Sequence, residues 1–298
     1  MSTSTSEPDR TDVHDQEAQL RIAVPNKGAL SEAAASLLLE AGYRQRTDRK
    51  DLRLFDEENG VEFFYLRPRD IAIYVGEGTL DLGITGRDLL LDSGAEAVEV
   101  KGLGFGRSRF RFAGRDGLRT VDELDGRRIA TSYPGLLKRY LDERGVSARL
   151  VHLDGAVESS IGLGVADAIA DVVETGTTLR KAGLAVFGDV ILESEGVLIR
   201  RHGFDGGPAF DHFMKRIEGV RVARNYVMLD YDVPEAALEQ ASSLTPGLES
   251  PTVSPLSRQG WYAVRAMVPK TQVQGLMDQL WDAGARAILS TDIAACRI

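Results

Sequence analysis

Cysteine is almost missing from this chain of 298 residues, where Cys296 stands alone. No internal disulfide can form, and nothing points to an oxidising compartment. No apolar run approaches the ~20 residues that cross a bilayer. Histidine and cysteine never cluster at the spacing of a zinc site. Residues 1–19 (MSTSTSEPDRTDVHDQEAQ) lack hydrophobic periodicity, and they lack the basic start and apolar core of a signal peptide. They read as a disordered tail, and the protein is expected in the cytoplasm, away from membranes. Positive charge is also short: the formal net charge is −9. That disfavours nucleic acid as a partner. A binder of small polyanions on this background must gather its cations locally.

What is present is an ordinary globular composition, 43% hydrophobic and 27% charged. The length suffices for two or three domains. One stretch organises the rest, Glu158 to Leu179, ESSIGLGVADAIADVVETGTTL. Asp167 to Val173 is a short apolar run that reads as a buried strand, with Asp171 as its one interrupting acid. Thr175-Gly176-Thr177-Thr178 follows, and a helical pattern runs from Leu179 to Ala182, with Gly183 placed to cap it. A strand, a glycine turn and a helix start suit an anion: unpaired N–H groups and the helix dipole face it, and threonine hydroxyls add donors. Asp171 is placed to accept hydrogen bonds from sugar hydroxyls beside a phosphate. Taken by itself, a TGTT turn is also a common connection between a strand and a helix.

On the N-terminal side, Leu20 to Val24 is a strand, Pro25-Asn26-Lys27-Gly28 ends it, and Ala29 to Ala41 is a helix. Lys27 is either a point charge for a phosphate or a solvent-facing loop lysine. Val61 to Leu66 is a strand leading into Arg67-Pro68-Arg69, a stiff basic corner suited to two-pronged phosphate binding. Ile71 to Val75 reads either as a further strand or, with Arg67–Tyr74, as a short helix. Asp81-Leu82-Gly83-Ile84-Thr85-Gly86-Arg87-Asp88 then repeats the shape of Asp167 to Gly176. Either two lobes of like design face one cleft, or two turns are alike by chance. Leu103 to Gly106 is a hinge or crossover strand. In the second lobe, Phe110–Gly114, Arg127–Thr131 and Arg149–Leu153 read as strands; Ser132-Tyr133-Pro134-Gly135 precedes a helix through Arg144, and Asp154 to Leu163 is a short helix. This alternation implies parallel sheets with ligands at strand carboxyl ends. Tyr133 is either a cover for a purine ring or a structural tyrosine.

The resulting division is a tail at 1–19, lobe I at 20–106 with a return segment at 190–201, and lobe II at 107–189. A Gly-rich linker with a helix (Phe210 to Ile217) occupies 202–219, and a third domain occupies 220–298. There, Val222–Leu229 is expected as a strand and Pro234–Ser243 as a helix with Asp232 near its cap. Pro251–Leu256 and Trp261–Val268 (strands), Lys270–Ala283 (helix) and Arg286–Thr291 (strand) complete the order βαββαβ, the ferredoxin-like split motif.

Glu158, Gly164, Ala166, Ile169, Asp171, Thr175, Gly176, Thr178 and Leu179 stand, without a gap, at the spacing of the signature of the ATP phosphoribosyltransferases. From Leu20 to Ile298 the chain resembles the long form of that family. The resemblance implies an α/β fold: a two-lobed, periplasmic-binding-protein-like catalytic part plus a ferredoxin-like regulatory domain. It implies condensation of ATP with phosphoribosyl pyrophosphate, the first step of histidine biosynthesis, with Mg²⁺ carried mainly by substrate phosphates. Thr175, Gly176, Thr177, Thr178 and Leu179 would cradle the 5′-phosphate. Asp171, assisted by Glu158, would hold the ribose hydroxyls. Lys27, Arg67 and Arg69 would meet the pyrophosphate or triphosphate, and Asp88, Leu89 and Tyr133 the adenine. Histidine, the inhibitor, would bind at Asp232, Leu248, Thr252 and Ala287, in a homo-oligomer ranging from dimer to hexamer. Glu174 departs from a phosphate-friendly loop, and its carboxylate is expected to point outward. A non-enzymatic two-lobed regulator that binds an anion or an amino acid is the alternative reading.

Overall fold

A computed structural model describes residues 18–115, 117–173 and 176–297. The expectations for the tail (all but Ala18 and Gln19), Thr175 and the direction of Glu174 fall outside the described residues.

Lobe I starts with β1 (Leu20–Pro25), whose burial is nearly unbroken, as a strand covered on both faces requires. It continues through α1 (Ala29–Glu40), β2 (Arg53–Asp56), β3 (Val61–Leu66), α2 (Pro68–Gly76), β4 (Leu82–Gly86), α3 (Arg87–Ser93) and β5 (Ala97–Gly102). Lobe II contains β6 (Ser108–Gly114), β7 (Arg128–Thr131), α4 (Pro134–Asp142), β8 (Arg149–His152), α5 (Ser159–Gly162), β9 (Ala168–Val173), α6 (Thr177–Lys181) and β10 (Ala185–Ser194). The chain returns as β11 (Gly196–Arg201). Strand order is β2-β3-β1-β4-β11-β5 in the first sheet and β10-β6-β9-β7-β8 in the second.

The sheets are mixed rather than parallel. β1 runs parallel to β3 and β4, and β7 to β8 and β9. The strands carrying the crossings, β6, β10 and β11, pair antiparallel. That follows from the connections: two segments crossing in opposite senses cannot both match the βαβ direction. β10 stays in the second sheet to Ser194, so the return begins at Gly196 and not at residue 190. Leu103–Gly106 is a connection between the lobes and not a strand. The Leu103 N–H donates to the Gly196 carbonyl (2.8 Å) and the Gly196 N–H to the Phe105 carbonyl (2.7 Å), so the two crossings lie side by side.

Ile71–Val75 is helical, within α2, with Pro68 in its first turn, where a missing N–H costs nothing. The helix expected at Asp154–Leu163 is reduced to the short α5. Ala156 takes a positive φ of 49° beside Gly155, which breaks the turn before Ser159. Glu158 is left as the residue that precedes the helix.

Between the return strand and the third domain the sequence suggested a Gly-rich linker, a helix at Phe210–Ile217 and then a strand from Val222. The helix is there, but as α7 (Gly207–Asn225) it runs without interruption past 222. Phe213, Ile217 and Val220 are spaced four and three residues apart and bury against Tyr43 and Phe63 of lobe I, so the helical period continues past 222. Arg224 pairs with Glu40 (2.7 Å) on the same face. The third domain follows at once: β12 (Tyr226–Pro234), α8 (Leu238–Leu244), β13 (Thr252–Pro255), β14 (Trp261–Pro269), α9 (Val273–Asp282) and β15 (Arg286–Asp292). Its order, β13-β14-β12-β15, is fully antiparallel and ferredoxin-like. β12 alternates half-buried and buried residues as far as Pro234, so Asp232 is a strand residue and not a helix cap.

Candidate active site

β9 comes out of the second-lobe core at its carboxyl end. Ala168, Ile169 and Ala170 are buried, while Asp171, Val172 and Val173 are half-buried. Gly176 then adopts the left-handed conformation (φ 68°) and starts α6. A Cβ at Gly176 would meet only Val173 Cγ1, at 3.8 Å. The backbone turn, rather than lack of space, therefore asks for glycine. Thr178 and Leu179 fall in the first helical turn, whose N–H groups have no acceptor within the helix. Glu158, Asp171, Gly176, Thr177, Thr178 and Leu179 together line a cleft of about 310 Å³.

The cleft is electrostatically unusual. Burial pushes the Asp171 carboxyl up to about 6, and the nearby Glu158 and Asp88 carboxylates add to this. A backbone N–H from Val172 (2.8 Å) and the Arg69 guanidinium pull the other way. Burial also raises the Tyr133 hydroxyl far above its ordinary value, with Asp88 and Asp171 contributing. Asp88 belongs to lobe I and Asp171 to lobe II, so three carboxyl groups and a phenol gather beside this cleft, where the lobes face each other.

Asp88 is itself buried at the start of α3. Its N–H donates to Ser194 Oγ (3.1 Å), and its Oδ1 accepts the Leu89 N–H (2.9 Å). Leu89 is buried beside it. Tyr133 packs edge-on against Phe110, with ring centres 5.3 Å apart, and the Arg69 guanidinium lies 5.1 Å from its ring centre. Arg69 is also engaged by Asp92 (2.9 Å). Lys27 and Arg67 are exposed, and neither makes an ion pair with a described residue. The predicted cations thus divide into two open side chains and one held within the fold.

Three residues beside the cleft gave no signal in the sequence. Ser194 holds the Asp88 backbone. Asp92 bridges the lobes through contacts 43 residues apart in the chain. Arg111 stands opposite Asp171 on β6, where its Nη2 donates to the Gly188 carbonyl (2.7 Å) and its buried Nε has no partner. Such links depend on which strands become neighbours.

In the third domain, Asp232 stands opposite Ala263 and Arg286. Ala287, next along β15, has a positive φ of 49° at a register shift. Thr252 lies on β13, beyond β14 and about 10 Å from β12 at ordinary strand spacing, and Leu248 (43% exposed) is in the loop that leads into β13. The fold brings Asp232 and Ala287 together and leaves Thr252 two strands away, on the edge strand β13.

Among the described residues no group of three or more His, Cys, Asp or Glu side chains is arranged to hold a metal ion. No helix there is long and apolar enough to cross a membrane.

Residues 67–219 match the family model described as HisG, ATP phosphoribosyltransferase, and residues 223–295 match that of the HisG C-terminal domain. A protein of Arthrobacter sp. named ATP phosphoribosyltransferase is 62% identical over 285 residues, covering 94% of this chain and all of the relative. One of the same name from Streptomyces coelicolor is 61% identical over 284 residues, with the same coverage. Among solved structures, an ATP phosphoribosyl transferase (HisG:HisZ) complex from Thermotoga maritima aligns with a TM-score of 0.58 at 26% identity. It covers 67% of this chain and 96% of that one.

Proposed function

Because this chain belongs to the ATP phosphoribosyltransferase (HisG) family, the enzymes of the first step of histidine biosynthesis, we propose that its interlobe cleft joins N1 of ATP to C1 of phosphoribosyl pyrophosphate. The N1 lone pair forms the new C1–N bond while the bond from C1 to the pyrophosphate oxygen breaks. The pyrophosphate carries away the bonding electrons. No protein nucleophile is needed, so catalysis rests on positioning and on charge.

The observation that carries this reading is the pairing, in one cleft, of Asp171 with the turn from Gly176 to Leu179. The turn, with Thr175, takes the 5′-phosphate through backbone N–H groups and the hydroxyls of Thr177 and Thr178. Asp171 accepts from the ribose hydroxyls, with Glu158 beside it. A breaking C1–O bond leaves positive character on the sugar, as in glycosyl transfer. Glu158 and Asp88 already repel an ionised Asp171, and a developing cation beside it relieves that repulsion. Lys27 and Arg67 meet the pyrophosphate or triphosphate, with Arg69 nearby. Asp88, Leu89 and Tyr133 border the adenine. Mg²⁺ supplies charge neutralisation at the phosphates and would enter with them, held at most by one or two of these carboxylates.

The third domain supplies the regulatory part of the reading: histidine binds around Asp232, Leu248, Thr252 and Ala287, of which Asp232 and Ala287 are adjacent on the sheet, and lowers turnover in a homo-oligomer between dimer and hexamer. Incubation with ATP, Mg²⁺ and phosphoribosyl pyrophosphate, following pyrophosphate release with and without histidine, tests both parts. Release that needs both substrates is expected. None with either would end the enzymatic reading, and release indifferent to histidine would end the regulatory one.

A further inference from the structure

Helix α3 serves both lobes. Leu90 is buried in the first-lobe cluster with Ile71 and Val75, while Leu91 packs on the second-lobe cluster with Phe110 and Leu137. Asp88 and Asp92 are one turn apart, so they share a face of the helix. Asp88 faces Asp171 and Tyr133. Asp92 reaches the N-terminus of α4, where its Oδ1 accepts the N–H groups of Gly135 (2.8 Å) and Leu136 (3.1 Å). Its Oδ2 accepts from Arg69 Nη1 (2.9 Å). The side chain is only 8% exposed. A carboxylate so enclosed must be fully partnered, and here every partner has a purpose in the cleft's geometry.

The approach is close. A Cβ on Gly135 would lie 2.3 Å from the Asp92 carbonyl oxygen, so only glycine lets α4 sit this near α3. Arg69, held by Asp92, is also the guanidinium beside the Tyr133 ring. One residue therefore sets the spacing of the two helices, the position of Arg69 and, through the rigid turn of α3, the place of Asp88.

We propose that Asp92 is a positioning residue for the transferase reaction: it pins α4 of lobe II to α3 of lobe I and holds Arg69 over Tyr133, thereby fixing Asp88 across the cleft from Asp171. The kinetic half of the proposal rests on the transferase reading, while the pin itself does not.

Two measurements separate the halves. In hydrogen-exchange mass spectrometry on the full chain, Asp92→Ala is expected to speed exchange in the segment holding Gly135 and Leu136 at least about tenfold, with the third domain unchanged. Arg69→Met should leave that segment protected. Protection unchanged in Asp92→Ala overturns the pin, whatever the enzyme does. In the pyrophosphate-release assay, Asp92→Asn and Arg69→Met should each lower kcat/KM for phosphoribosyl pyrophosphate by about ten- to a hundredfold, the scale of a small misplacement. Combined, they should lose less than the product of the two. Losses that multiply would show that Asp92 does not act through Arg69. Gly135→Ala keeps both charged groups and forces the helices apart, so it stands in if the Asp92 variants fail to fold. It should expose the same segment and lower kcat, and wild-type exchange and turnover would overturn the proposal. If the wild type releases no pyrophosphate, the transferase reading fails while the exchange result still decides the pin.

Discussion

Asp171→Asn should stabilise the free protein above pH 6 while removing most of its activity. The Asp171 carboxyl is raised from 3.8 to about 6, chiefly by burial. At ~1.4 kcal/mol for each pH unit, its ionised form is disfavoured in the fold by about 3 kcal/mol. Asparagine removes that penalty but keeps an oxygen for the Val172 N–H (2.8 Å). The kept bond loses its charge, at a cost of about 1 kcal/mol. The net gain is about 1–2 kcal/mol at pH 8. The sign follows from proton uptake: a raised folded-state pKa means that the folded chain binds more protons than the unfolded one between pH 4 and 6. The wild type therefore loses stability as pH rises through that window, and the variant does not. The difference between them should be near its minimum at pH 4, grow to pH 6 and then level off. Both tryptophans, Trp261 and Trp281, lie in the third domain, so fluorescence would report the wrong part. Urea unfolding read by protease cleavage within lobe II is the suitable assay. A difference that stays constant from pH 4 to pH 8 would refute the electrostatic account. In the wild type, kcat/KM for phosphoribosyl pyrophosphate should fall as the pH drops below about 6, because a protonated carboxyl loses acceptor capacity towards the ribose hydroxyls.

Gly176→Val places a β-branched residue at φ 68°, where the backbone is strained by about 1–3 kcal/mol, with room around it. The turn should move, raising KM for phosphoribosyl pyrophosphate at least tenfold with little change in the melting of the third domain; an unchanged KM would count against the turn as the phosphate cradle. Asp232→Ala, on the half-buried side of β12, should weaken inhibition by histidine and leave turnover without histidine intact. Inhibition curves that overlay those of the wild type would move the regulatory site elsewhere.

The parts legible in the sequence were those with local causes. β1, β4 and β9 are short apolar runs closed by turns containing glycine, and the chain read that way folds that way. Strands β2 and β5 were not found, because edge strands with mixed exposure show no clean alternation. Asp171 was legible as an acid within an apolar strand. Asp92 was not: an acid at the end of a short helix looks solvated until α4 arrives from another lobe. Arg69 shows the same limit from the other side. Its position beside Pro68 suggested a free phosphate ligand, yet the fold has given its guanidinium to Asp92 and Tyr133.

The boundary at Val222 has a physical consequence for regulation. A helix ending at Ile217, with a short link before a strand at Val222, would have let the third domain reorient at little cost, and a signal from Asp232 would have had no stiff route to lobe I. The helix α7 changes that. Its apolar side is part of the lobe I core through Phe213, Ile217 and Val220, and its last residue, Asn225, is followed directly by β12. At Gly219 a Cβ would lie 2.2 Å from the Cys296 carbonyl oxygen, so the C-terminal segment of the chain rests against the helix backbone. Arg224 and Glu40 add a lateral tie to α1 (2.7 Å), and α1 is the helix that follows the turn carrying Lys27. A rotation of the third domain therefore cannot be absorbed at the junction. It either moves α7 and α1 together or breaks contacts in the lobe I core. On the histidine reading, the effector has a short, stiff path to the lobe that handles the polyanionic substrates, and Asp171 and its turn lie on the other lobe, beyond the Asp92 pin.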